Sequence, residues 1–544
     1  MSSNDKLSDA PGADSPDRYD VIVVGAGFAG MYMLYKCRQL GLSAVVYEAG
    51  DDVGGTWFWN RYPGARCDVE SLSYSYSFSP ELEQEWEWTE RYAAQPEILR
   101  YAQHTADRFD LRRDIRFETR VLAAHFDDGN RTWTVRTDKG DVATARFCVM
   151  ATGCLSTFKP PEIDGIDTFR GKIYHTAAWP REEVDFAGQR VGVIGTGSSG
   201  VQCIPIIAQQ AAHLTVFQRT PTYSLPAQNR PLIPGEQEAK KANYPEWRKA
   251  QRASSFGTPW PAATESALEV DDEERNMIYE NAWQFGSITA LNNVFNDIHQ
   301  NMAANETAAT FVRHKIRSIV RDPDTAEALC PDYPIATKRP TLDTGYYATY
   351  NRNNVRLVNL HKSPLIEITE SGIRTVDHEH NLDAIVFATG FDAITGALAK
   401  IDIRGRDGRA LKDTWADGPR TYLGLCSAGF PNLFMITGPG SPSVLSSMIV
   451  SIEQHVDLIG SIIDLLDQQG KCTIEPTLKA QDHWVDHVND VASMSLFSQA
   501  NSWYLGANVP GKPRVFMPYV GGVGNYRKIC DDMLANDCDG FTLT

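Results

Sequence analysis

An α/β fold with two similar halves is what the 544-residue sequence predicts, on three observations. A strand–Gly-x-Gly-x-x-Gly–helix–strand unit near the start is repeated from residue 190 onward. Each unit is matched downstream by a strand that runs into Ala-Thr-Gly, at 151–153 and at 388–390. A charged stretch of helical character separates the second unit from its closing strand.

Residues 1–18 are expected to form a disordered tail. Five aspartates fall in the first 20 residues among Ser, Gly and Pro, which resembles neither a signal nor a transit peptide. The first unit then opens with the β-branched run Val21 to Val24 and turns through Gly25, Gly27 and Gly30. An apolar helical pattern follows and stops at Gly41, and a second apolar strand ends in Glu48. A carboxylate there accepts hydrogen bonds from a ribose 2′-hydroxyl and repels a 2′-phosphate, which suits the AMP half of FAD, or NAD. The second unit carries Gly195, Thr196, Gly197, Ser198 and Gly200, but its strand ends in Phe217-Gln218-Arg219-Thr220, without an acid. A guanidinium and a hydroxyl at that point suit a 2′-phosphate, hence NADP. The expected architecture is therefore two Rossmann-like dinucleotide-binding domains, one for FAD and one for NADP.

The insertion spans 227–334. Asp271-x-x-Glu274 reads as a capping box, and Phe311, Val312, Ile316, Ile319 and Val320 form a helical face that stops before Pro323. Beyond Gly390 no third glycine loop occurs, so the strand-like Asn432-LFMITG and the C-terminal part are expected to return to the first domain. That gives a discontinuous FAD-binding domain (19–158 and 391–544), and an NADP-binding domain (159–226 and 335–390) carrying the helical insertion.

Composition excludes several functions. A net charge of -17 argues against nucleic acid. The longest apolar stretch, Val21 to Tyr35, is too short and too glycine-broken to span a membrane. None of the ten cysteines are spaced C-x-x-C, which removes zinc ribbons and thioredoxin-type pairs, and no metal site is expected. Scattered single cysteines fit a reducing cytoplasm. Disulfide reductases share the FAD and NADPH pairing, but they need a cysteine pair where this chain has only Cys67. A monomer is favoured.

Two longer motifs sharpen the reading. Phe169-RGKIYHTAAWP fits F-x-G-x-x-x-H-x-x-x-W-P through Phe169, Gly171, His175, Trp179 and Pro180, and Gly54-GTWFWNRYPGARCD carries Gly55, Trp57, Tyr62 and Asp68. Together they resemble the fingerprints of type I Baeyer–Villiger monooxygenases. The stretches Gly438-PGSPSVLSSM and Ala507-NVPGKPRVFM are most like the phenylacetone, steroid and cyclohexanone branch. The resemblance implies FAD, NADPH and O2, and conversion of a small-molecule ketone to an ester or lactone through a C4a-peroxyflavin and a Criegee adduct. It implies that Arg339, in Ala336-TKRPTLDTGYY, supplies a fixed positive charge to the anions of that chemistry. Asp68 is expected to orient Arg339, and Lys338 to contact the NADP phosphate. Trp503 is expected to contact the nicotinamide nucleotide, and Trp57 and Tyr62 to lie near the flavin.

His175 is expected to organise the connection between domains rather than to act as a base. The loop Ser441, Pro442, Ser443, Val444 and Leu445 is expected to shape a pocket for aromatic or bulky ketones. Secondary sulfoxidation fits the same chemistry. Flavin-containing N- or S-monooxygenases acting on amines or sulfides also carry two glycine loops and stand as the alternative; their histidine motif generally lacks the Trp179-Pro180 ending.

Overall fold

The computed structural model describes residues 16–158 and 160–544. Most of the expected tail, residues 1–15, lies outside the described residues. Its expected end at residue 18 is too late. Asp17 and Arg18 already belong to the strand Asp17–Val24, paired with Ala143 and Thr144. The long partner strand Val142–Met150 extends far enough to give their backbone groups a ladder, which overrides the polar side chains.

Eight strands make the first sheet. From one edge run Asp402–Arg404, Val121–Asp127, Thr132–Thr137, Val142–Met150, Asp17–Val24, Ala44–Tyr47 and Ile115–Arg116. Leu433–Met435 pairs in parallel with the end of Val142–Met150. The nucleotide-binding strands are parallel, and the hairpin partner Thr132–Thr137 is antiparallel to both neighbours. Both faces are covered, which is why Val21 to Val24 reads as a continuous apolar run. Val21 and Val23 enter one core, Ile22 and Val24 the other.

The second sheet has five parallel strands in the order Val355–Asn359, His213–Gln218, Arg190–Ile194, Ala384–Phe387 and Lys172–His175. Val191, Val193 and Val216 face one core while Ile194, Phe217 and Phe387 face another. The Ala-Thr-Gly segments follow the strands that neighbour each glycine-loop strand. Each sheet therefore presents its loop at the carboxyl ends of its strands, where open α/β sheets bind ligands.

The stretch 227–334 is helical, and its two parts are held differently. Arg248, on the helix Tyr244–Ala253, donates through Nε to Glu83 at 2.7 Å, with both side chains buried. Arg91 bonds Glu70 and donates to the Phe285 carbonyl. The later helix Met302–Ile319 instead buries Ala304, Ala308, Val312 and Ile316 against the second sheet's core. Asp271 caps Asp272–Phe285 by accepting from the backbone N–H groups of Glu273 and Glu274, as its spacing to Glu274 suggests.

Candidate active site

The two glycine loops have the same backbone and different surroundings. In the first, a methyl group on Gly30 would sit 1.8 Å from the Gly25 carbonyl oxygen. In the second, one on Gly200 would sit 2.2 Å from the Gly195 oxygen. Only glycine lets each helix start this close to its strand, and Phe28–Gln39 and Ser198–Gln210 start there, with Gly27 and Gly197 as N-caps. Neither cap position carries a side chain that could satisfy the helix's free N–H groups, so both N-termini are suited to a pyrophosphate.

Glu48 is buried and accepts from the backbone N–H groups of Ala26 and Gly50, each at 2.7 Å. Burial raises its pKa, and those two hydrogen bonds oppose the rise. The carboxylate's remaining lone pairs can take the two hydroxyls of a ribose. Gly55 closes over this loop: a methyl on Gly27 would meet its Cα at 3.3 Å, and the Gly54 N–H donates to the Ala26 carbonyl. Trp57 is buried beside it, and its indole N–H donates to the Tyr74 hydroxyl at 3.1 Å.

The second loop is open. Gly197 and Ser198 are exposed, and nothing lies within 4 Å of a methyl placed on Gly197. Thr196 donates through its hydroxyl to the Thr220 carbonyl at 3.0 Å, joining the loop to the strand end that carries Arg219. Arg219 is exposed. The Lys338 ammonium lies 4.3 Å from the centre of the Tyr333 ring, and its pKa is lowered by burial and then by the charge of Arg219. Two cations that raise each other's energy form a site that an anion stabilises, which fits a 2′-phosphate.

Arg339 and Asp68, 271 residues apart, meet as a bidentate pair. Arg339 Nε donates to one carboxylate oxygen at 2.7 Å and Nη2 to the other at 2.9 Å, with both side chains half-buried. Nη1 donates to the Val444 carbonyl at 2.6 Å. Burial disfavours the guanidinium's charge, but Asp68 outweighs it and the pKa rises, so the cation is permanent. Pro340 biases Arg339 toward extended backbone, which helps hold the fork on its partner. Tyr504 packs beside this pair; burial pushes its hydroxyl up to about 12, and Arg339 opposes the rise.

The 441–445 loop lies directly against that arginine. Ser441 donates to the Gly438 carbonyl at 2.7 Å, and Pro442 leads into the short turn Ser443–Leu445. Val444 is buried and Leu445 half-buried in a cluster with Cys154, Phe516 and Met517. Trp503 lies with its ring tilted at 52° and 4.4 Å from that of Tyr504 in the turn Trp503–Leu505, and remains half-exposed.

The histidine motif is placed away from Arg339. His175 ends the strand Lys172–His175, stacks 4.3 Å from Phe158, and accepts at Nδ1 from the Ala177 N–H. Its Nε2 therefore carries the proton and donates to the Thr389 hydroxyl at 3.2 Å, in the second Ala-Thr-Gly segment. Burial lowers its pKa to about 4, so it is neutral near pH 7 and works as a fixed hydrogen-bonding group. Trp179 stacks on Tyr174 next to Pro180, Phe169 packs on the second sheet's outer core, and Gly171 leaves room for the Asp383 carbonyl.

Tyr62 does not stay with Trp57. Its hydroxyl donates to Gln202 Oε1 at 2.8 Å, on the helix of the second loop, and Gln202 Nε2 donates to the Arg66 carbonyl. Gln202 was not legible as a site residue; a lone amide in an apolar helical face is its only signal. Tyr504 is not legible either, although it adjoins Trp503, and Thr389 is legible only as part of the second Ala-Thr-Gly segment.

Comparison with known proteins places this geometry. A protein-family model described as "Pyridine nucleotide-disulphide oxidoreductase" matches residues 22–235. The cysteines among the described residues are free. A Baeyer-Villiger monooxygenase of Pseudooceanicola batsensis is 44% identical over 94% of this chain and 93% of its own length. A solved structure titled as an oxidised steroid monooxygenase bound to NADP is 54% identical, with a TM-score of 0.93 over 97% of this chain and 99% of that one. A structure of OTEMO in complex with FAD and NADP is 40% identical, with a TM-score of 0.94 over 97% of this chain and all (100%) of that one. With this similarity over nearly its whole length, the chain belongs to the Baeyer–Villiger monooxygenase family.

Proposed function

We propose that this protein converts ketones, in particular aromatic or bulky ones, to esters or lactones at the expense of NADPH and O2. It is an FAD- and NADPH-dependent monooxygenase of the family identified above. The flavin, reduced by NADPH, supplies the activated oxygen; the chain's residues supply binding, orientation and charge. FAD is assigned to Gly25, Gly27, Gly30, Glu48, Gly55 and Trp57, on the part formed by 19–158 and 391–544. NADP is assigned to the second glycine loop with Arg219, Thr220, Lys338 and Trp503.

One observation carries the reading of the chemistry. Arg339 is held on Asp68 through two of its nitrogens while the third, Nη1, donates to the carbonyl of Val444, in the loop proposed to shape the ketone pocket. A guanidinium fixed in that way stabilises negative charge building on oxygen during attack on a carbonyl, without reorganising. The neutral His175 supports a structural role for its motif, since a base with a pKa near 4 abstracts protons poorly at pH 7. The amine- or sulfide-oxidising alternative has no observation of its own in this geometry and is not favoured. Sulfoxidation remains a secondary activity of the same oxygen.

A panel of aliphatic, aromatic and polycyclic ketones tests this, scored by ester or lactone formed per NADPH consumed. Bulky and aromatic ketones are expected to lead. Failure of every ketone to give product would sink the proposal. Arg339→Ala is expected to lower product formation by about 100-fold or more while flavin reduction by NADPH survives. Equal loss of both steps would remove the assigned role of Arg339.

A further inference from the structure

No motif marks His455, yet it stands within a chain of contacts that reaches Arg339. It lies on the helix Met448–Gln468 and is fully buried. Its Nδ1 accepts from the Thr437 N–H at 3.0 Å, so Nε2 carries the proton and donates to the Tyr526 hydroxyl at 2.8 Å. Tyr526 in turn donates to the Leu423 carbonyl. This tautomer satisfies all three partners, and burial, opposed by a hydrogen bond to the Met435 backbone, keeps the ring neutral, with a pKa of about 4.

Thr437 needs that anchor. It is a β-branched residue at φ +57°, a conformation that persists only where neighbours impose it. From Thr437 the chain continues into the 441–445 loop. The Ser443 hydroxyl donates to the Thr437 carbonyl at 3.2 Å and lies 3.2 Å from the Cys154 sulfur, and Ser443 is itself at φ +40°. The next residue, Val444, presents its carbonyl to Arg339 Nη1. Both strained residues are thus tied into one hydrogen-bonded path, Leu423–Tyr526–His455–Thr437–Ser443, which continues through the peptide bond to Val444 and the hydrogen bond from Arg339 to its carbonyl.

We propose that His455 is a positioning residue for the oxygenation step: by fixing Thr437 it sets the 441–445 loop, and through the Val444 carbonyl it sets the orientation of Arg339. The proposal rests on the reading of Arg339 given above. It assigns His455 no contact with ketone or nucleotide and no proton transfer.

The test uses the flavin-loaded full-length enzyme. His455→Phe removes both hydrogen bonds, whereas the amide of His455→Gln can accept from Thr437 and donate to Tyr526. Loss of an anchoring buried hydrogen bond is expected to lower ester yield per NADPH by about tenfold in His455→Phe, with flavin reduction by NADPH within about twofold of the parent. Hydrogen exchange of the peptide covering 437–447 is expected to rise by a similar factor, and His455→Gln is expected to restore both readouts. Equal loss of reduction and oxygenation, unchanged exchange of that peptide, or no rescue by His455→Gln would each overturn the proposal. If His455→Phe does not fold, Tyr526→Phe takes its place, leaving the imidazole without its acceptor; an unchanged ester yield there counts against the idea. Arg339→Ala serves as the reference. If it retains ester formation, the reading of Arg339 has failed, whatever the His455 variants do.

Discussion

The two glycine-loop units share a backbone and differ in what closes them. The first is sealed: Gly55 lies against Gly27, Glu48 is buried and already bonded to the loop, and Trp57 packs alongside. The second is open, with Gly197 and Ser198 exposed and its cations, Arg219 and Lys338, at its mouth. A sealed site suits a cofactor that stays, and an open one suits a nucleotide that arrives, reacts and is replaced. Loop motif and helix alone do not make that distinction; the strand end and the covering segment do.

The comparison can be broken most severely at the third glycine. Gly30→Ala would drive a methyl group into a backbone carbonyl that cannot yield, so a loss of about 3 kcal/mol or more, with loss of flavin, is expected by thermal unfolding and absorbance. Gly197→Ala meets open space and is expected to change stability by no more than about 0.5 kcal/mol while weakening NADP binding. A flavin-depleted Gly197→Ala protein would contradict the contrast.

Acid titration sharpens it next, because one buried histidine serves each side. His455 and His175 both have folded-state pKa values near 4, below the ordinary 6.5. Unfolding therefore takes up protons between those values. Their contribution to stability is present above pH 6.5 and is lost as pH falls from there through 4. For fully buried His455 the loss is on the order of 3 kcal/mol, so denaturant titrations from pH 7 to 4 should show a steeper fall for the parent than for His455→Gln.

Charge at the open site comes third. Arg219→Ala is expected to raise KM for NADPH by about 10- to 100-fold, the effect of losing one charge-assisted hydrogen bond, with NADH turnover unchanged. Parallel loss with both nucleotides would mean that Arg219 does not read the 2′-phosphate. A modest effect is expected at the tie between the two units. Tyr62→Phe removes the hydrogen bond to Gln202, and about 1 kcal/mol of stability should go with it in thermal unfolding.

Local features of the sequence made the two sheets legible. The β-branched run before Gly25, the acid at 48 and the basic end at 219 are all read within single segments. The meeting of Asp68 with Arg339 was legible only through family resemblance, since no pattern in either segment encodes a contact across 271 residues. His455, Gln202 and Tyr504 stayed hidden because nothing in their own segments names the partners they meet. Their roles arise from partners supplied by distant parts of the chain. The tail was misjudged at its end because Asp17 and Arg18 look like linker, and only the length of the partner strand recruits them.

Lys338 and Arg339 are consecutive residues with separate commitments. One ammonium lies over Tyr333 within the field of Arg219, and the next guanidinium is clamped on Asp68. A single peptide bond thus spans the proposed nucleotide contact and the charge proposed to serve the oxygen chemistry. The segment works as a ruler with no slack. Inserting a residue between them would pull one of the two cations off its partners. Lineages that alter nucleotide preference or ketone range should therefore vary the side chains around this pair and keep its spacing.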